Sequence, residues 1–236
     1  ALSVAGSNTE TALETVTLPH APEVIDVPSV DSFRRPPRLS LAIRGVGGQG
    51  NLFFGKVLAQ VAFLAGYDDR NILKGETHGM AQMGGPVIST FGCGEVFSPA
   101  LVPGTANVLI AMEKAEVLRP GFLDLLEPGG TVLMADTRIL PHGLKPEAYP
   151  SDEAIAAQLE GYRVVSVDVL SIALNLGDPK GRCANVAMLG VLSTLPPFDV
   201  VPEAVWLQAL RGISRKPALW DLNHAAFMAG RGMRKG

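Results

Sequence analysis

The stretch that most constrains this chain runs from residue 39 to residue 65. A short apolar run, Leu-Ser-Leu-Ala-Ile-Arg, leads straight into Gly45-Val46-Gly47-Gly48-Gln49-Gly50. The segment that follows places Leu52, Phe53, Phe54, Val57, Leu58, Val61 and Leu64 on a helical period and stops at Gly66, a C-terminal signal. Strand, glycine turn and helix in direct succession open a doubly wound sheet. Strand-like apolar runs recur at 107–112, 131–135 and 163–167. Helical patterns lie at 115–126, 152–160 with Ser151 as cap, 183–195 and 202–212, and an amphipathic one at 216–231. This alternation predicts an α/β fold: a doubly wound, mainly parallel Rossmann-like sheet with helices on both faces. Between the first helix and residue 107, a strand at 86–91 fed by a glycine-rich loop is expected to depart from the regular alternation.

Order is expected to start near residue 38. Residues 1–37 carry Pro19, Pro22, Pro28, Pro36 and Pro37 and no sustained period, so they read as a linker or tether arm lying on a partner, with 24–27 able to extend a sheet edge. Such a start suits fusion to a partner or strand exchange with one. Residues 38–236 then form one α/β domain that includes the C-terminal helices, within the usual length of a single domain.

Composition excludes several function classes. An apolar fraction of 47%, 18% charged residues and a net charge of −3 carry no nucleic-acid footprint. No apolar run reaches the length of a membrane helix and no signal sequence opens the chain, which points to a cytoplasmic protein. The two cysteines, Cys93 and Cys183, have no CxxC spacing, cannot by themselves ligate a four-thiolate cluster, and read as buried thiols; no metal site is expected.

Two motifs carry the functional signal. Gly45-x-Gly47-x-x-Gly50 has the letters and the strand-to-helix context of a dinucleotide fingerprint, in which glycines let a phosphate approach backbone N–H groups at the positive end of a helix. The ribose-binding carboxylate expected about 20 residues on has no clear counterpart: Asp68 and Asp69 fall directly after the helix. Anion binding, nicotinamide binding and close strand–helix packing all remain open for this turn. The second motif, residues 75–86, sets four glycines among Glu76, His78 and Gln82, a density of polar groups on pliant backbone that suits contact with another molecule. His78 also reads as a loop histidine bonded to nearby backbone.

Together, Gly45-Val46-Gly47-Gly48-Gln49-Gly50 and Glu76-Thr77-His78-Gly79-Met80-Ala81-Gln82-x-Gly84-Gly85 resemble the γ domain of 2-oxoacid:ferredoxin oxidoreductases, especially the small subunit of the indolepyruvate type. Ser98-Pro99, Glu113, Glu116, Gly129-Gly130, Asp168, Asn185 and Gly190 extend the resemblance over residues 39–195. Met83 stands where the family commonly has arginine, and Asp136 where asparagine is frequent. The resemblance implies an oxidative decarboxylation of a 2-oxoacid, indolepyruvate or another aryl pyruvate, to an acyl-coenzyme A with electrons passed to ferredoxin. It implies thiamine diphosphate, Mg2+ and 4Fe-4S clusters on partner subunits or domains rather than on this chain, and coenzyme A as co-substrate. Gly45, Gly47, Gly48, Gln49, Gly50, Glu76, His78, Gln82, Gly84 and Gly85 are then cofactor-binding or interface residues, lying together at the carboxyl ends of the strands, with no catalytic acid or base assigned. The competing readings are a stand-alone NAD(P)-binding oxidoreductase and a non-catalytic assembly module.

Overall fold

The computed structural model describes residues 16–76, 85–140, 145–214 and 216–233. One six-stranded sheet organises them. Its strands are β1 (Arg38–Val46), β2 (Ile72–Glu76), β3 (Pro86–Gly94), β4 (Ala106–Ala111), β5 (Leu126–Ala135) and β6 (Arg163–Val167), in the order β2-β3-β1-β4-β5-β6. β1, β4, β5 and β6 are mutually parallel, and β3 runs against both of its neighbours, β1 and β2. The sheet is therefore mainly parallel, as expected, and β3 is the strand that breaks the alternation.

Both faces are covered, which is why β4 is buried along its whole length. Successive residues alternate between two cores: Val108 and Ile110 point to one, Leu109 and Ala111 to the other. The larger core packs under α1 (Asn51–Leu64), α3 (Val169–Asn175), α4 (Ala184–Leu192), α5 (Glu203–Ile213) and α6 (Pro217–Gly232). The smaller is closed by Val117, Phe122 and Leu123 from two short 3-10 turns, and by Ile155 and Leu159 from and just after α2 (Asp152–Gln158).

The expected helix at 115–126 is one correction. Lys114–Leu118 and Leu123–Leu125 are separate 3-10 turns, split where Pro120 removes an amide donor and Gly121 takes a φ of +77°. β2 and α3 are elements that the sequence pattern does not predict. β2 is too short to show a period, whereas α3 carries a cap signal, with Asp168 accepting from the Ser171 amide at 2.9 Å. Ser151 caps α2 as its position implies, its Oγ accepting from the Ala154 amide at 3.2 Å.

Residues 24–27 form no strand. The segment 16–37 lies instead on the chain's own helical layer, with Ile25, Val27 and Phe33 against the larger core. The Asp221 carboxylate accepts the Ala21 amide at 2.8 Å, and Pro22 O accepts from Arg211 and from the Trp220 indole at 2.9 and 3.2 Å. The Glu95 amide donates to Pro37 O at 2.9 Å, bringing the arm to the start of β1.

Candidate functional site

The turn at 45–50 sits at the carboxyl end of β1, where the chain leaves on one side towards β3 and later returns on the other through β4. Open α/β sheets bind ligands at such a switch point. Gly48 and Gly50 have φ of +99° and +84°, values an L side chain resists. Gly45 has no room for a Cβ, which would lie 2.7 Å from Gln49 Oε1 and 3.0 Å from Met112 Cβ. Gln49 clamps the turn: its Oε1 accepts the Val46 amide and its Nε2 donates to Met112 O just past β4, both at 2.7 Å. Its amide group is thus used within the protein.

A cleft of about 440 Å³ opens beside this turn. Its cationic lining comes from Arg138 after β5 and from Lys180 and Arg182 ahead of α4. α1 and α4 both present their N-termini here without a side-chain cap or an acidic residue in the first turn. Cations placed at helix N-termini oppose the helix dipole; Asp178 offsets part of this at α4, and an anion in the cleft would offset more. Asn185 adds a buried amide: it is 8% exposed, and its Oδ1 makes no hydrogen bond among the described residues. Asn51, also buried, has an unpartnered side-chain amide in the first turn of α1. Arg182 is steadied by Asp178, whose other oxygen accepts the Cys183 amide at 2.8 Å. Burial alone would raise the Asp178 pKa, but that amide bond and Arg182 outweigh it and hold the carboxyl below its usual value.

Across Ile139, which lines both spaces, lies a hollow of about 380 Å³ whose polar wall includes Glu113, Glu116, Arg119 and Tyr149. Glu113, 2% exposed, accepts from the Tyr149 hydroxyl and from the Ile139 amide. Burial pushes its pKa up despite these bonds. Glu116 pairs with Arg119 at 2.9 Å and faces Arg44 at 3.6 Å.

The two glycine motifs meet, since the Gly47 amide donates to Gly85 O at 3.0 Å. Glu76 ends β2, two strands from β1, with its carboxylate 3.8 Å from the Lys74 ammonium. His78, Gln82, Met83 and Gly84 lie outside the described residues. Asp68 is occupied locally by the Arg70 amide and guanidinium, and the neighbour of β1 on that side, β3, runs antiparallel and ends beside the amino end of β1, away from the turn. No strand-end carboxylate among the described residues therefore stands where a dinucleotide ribose would require it. The thiols of Cys93, in β3, and Cys183, at the start of α4, are both buried and pushed up to about 12 by burial. Among the described residues no group of three or more His, Cys, Asp or Glu is placed to hold a metal, and no helix is long and apolar enough to cross a membrane.

Residues 40–233 match the family described as pyruvate ferredoxin/flavodoxin oxidoreductase. The chain belongs to that family. It is 35% identical over 159 residues to indolepyruvate oxidoreductase subunit IorB of Archaeoglobus fulgidus, covering 66% of this chain and 76% of that one. The same-named subunit of Thermococcus kodakarensis is 33% identical over 197 residues, covering 81% of this chain and 93% of the relative. In structure this family member resembles a 2-oxoglutarate:ferredoxin oxidoreductase from Magnetococcus marinus solved with 2-oxoglutarate, coenzyme A and succinyl-CoA bound. That match has a TM-score of 0.63 at 20% identity and covers 85% of this chain and 32% of the other, so it speaks to the fold.

Motif reading misses the cleft's cations, although Lys180-Gly181-Arg182 at the mouth of a helix is a readable signal, being basic where the helix dipole favours acid. Arg138 has no such signal, because only the return of β5 beside β4 brings it to the turn.

Proposed function

We propose that this chain is the γ-type component of a thiamine-dependent 2-oxoacid:ferredoxin oxidoreductase of the indolepyruvate type, and that its basic cleft receives the phosphates of coenzyme A. The observation that carries the reading is the convergence of Arg138, Lys180 and Arg182 with two uncapped helix N-termini at the switch point. Backbone amides and guanidinium groups bind phosphate through charge-assisted hydrogen bonds, and a buried Asn amide can donate or accept towards the rest of a nucleotide. Preference for an aryl pyruvate rests on the names of the relatives.

The chain's own residues bind and orient; the carbon chemistry belongs to thiamine diphosphate with Mg2+, and electron transfer to 4Fe-4S clusters, on partner subunits. Two protonated, buried thiols on separate elements suit neither cluster ligation nor acyl transfer. The Gly45–Gly50 turn and the loop from Glu76 to Gly85, joined at Gly47 and Gly85, would present the cleft to the thiamine-bearing subunit.

The test is steady-state kinetics on the purified complex with Arg182→Ala. Loss of one charge-assisted contact raises KM for coenzyme A by about 10-fold or more. An unchanged KM for coenzyme A sinks the assignment of the cleft. A screen of pyruvate, aryl pyruvates and 2-oxoglutarate on the same complex tests the substrate class.

A further inference from the structure

The cations of the cleft are held differently: Arg182 leans on the single carboxylate of Asp178, whereas Arg138 is supported by a ring and a chain of ion pairs. Its guanidinium carbon lies 5.5 Å from the centroid of the Tyr149 ring, and one of its Nη atoms pairs with Asp152. Asp152 is itself fixed by Lys114 at 2.9 Å, and Lys114, largely buried, also grips Asp136 at 2.6 Å. The Tyr149 hydroxyl and the Ile139 amide both end on the same Glu113 oxygen. Glu113 follows Met112, whose carbonyl anchors Gln49 and with it the glycine turn. Both the backbone beside Arg138 and the ring beneath it therefore hang on one buried carboxyl at the carboxyl end of β4.

We infer that Glu113 and Tyr149 are positioning residues that hold Arg138 over the cleft, acting on the phosphate-bearing co-substrate only through that guanidinium. The inference rests on the reading of the cleft given above. Arg138 is half exposed, and an unrestrained arginine loses rotamer freedom when it grips an anion. Stacking on a fixed ring removes part of that cost beforehand. Asp152 takes one corner of the guanidinium fork and leaves other donors for a ligand. The hollow behind Ile139 shows why the hydroxyl matters: without the Tyr149–Glu113 bond, the ring and the 138–139 backbone have about 380 Å³ to relax into.

The experiment is a double-mutant cycle on the purified complex, reading KM for coenzyme A and KM for the 2-oxoacid separately. Arg138→Ala should raise KM for coenzyme A by about 10-fold. Tyr149→Phe keeps the ring and deletes the hydroxyl, and should raise the same KM by about 3-fold while leaving that for the 2-oxoacid unmoved, a fraction of the Arg138→Ala effect because the guanidinium stays and only its positioning is loosened. In the Arg138→Ala background Tyr149→Phe should add nothing, because its route to the ligand is gone. Glu113→Ala should behave like Tyr149→Phe, and Glu113→Gln, which still accepts from the hydroxyl, should recover most of the affinity. If Tyr149→Phe adds its full effect on top of Arg138→Ala, or shifts both KM values alike, the relay is wrong and the cleft stands. If Arg138→Ala leaves KM for coenzyme A unchanged, the relay falls together with Arg138's part in the cleft.

Discussion

Gly190→Ala tests how closely α4 and α6 are packed. A Cβ on Gly190 would stand 2.1 Å from Phe227 O, and one on Gly230 would stand 2.0 Å from Ala187 O. Ordinary contact begins near 3.4 Å, so the two helix backbones would have to part by about 1.3 Å. The atoms in the way are backbone, which cannot rotate aside, and Ala187, Met188, Val191 and Phe227 around them are buried. Overpacking of this kind costs about 3 kcal/mol, and the better helix propensity of alanine returns about 1 kcal/mol, leaving a net loss of about 2 kcal/mol. For a chain of this size that lowers Tm by about 4–8 °C. Gly212→Ala is the control: the residue is exposed in α5 with nothing within 4 Å of its would-be Cβ, so the same substitution should raise Tm by about 2 °C. Calorimetry of the two variants beside the parent protein reads both signs. A Gly190→Ala protein as stable as Gly212→Ala would refute the close backbone contact.

Two further outcomes can be checked. Asp178→Asn loses an ionised acceptor for the Cys183 amide and for Arg182, and should cost about 1–3 kcal/mol at pH 7. Because the folded pKa is depressed, that stability is present above the ordinary carboxylate range and lost as pH falls through the folded value, so the Tm gap to the parent should narrow steadily below about pH 4. A gap independent of pH would mean that ionisation of Asp178 contributes nothing. Gln49→Ala frees the Val46 amide and Met112 carbonyl together and should weaken coenzyme A binding in the complex more than it lowers Tm, since it unties the turn rather than the core; equilibrium binding and calorimetry compared side by side decide this.

The elements whose cause is local are legible in the sequence: the glycine turn after β1, α1 with its period and Gly66 stop, and α2 with its Ser151 cap. Each depends on residues within a few positions, so the sequence alone determined them, along with the α/β class and the family likeness of the two glycine motifs. Only the tertiary structure decided the reversed direction of β3 and the arm lying on α6 through Asp221 and Trp220, whereas the break at Pro120-Gly121 has a local cause that the helical period at 115–126 masks. It alone decided the cleft. Arg138, Lys180, Arg182 and Asn185 come from segments up to 47 positions apart, and Tyr149 meets Glu113 across 36, so no local pattern records either contact. The physical reason is that strand order and helix packing are chosen by burial summed over both faces of the sheet, and that choice settles which distant charges share one dielectric pocket.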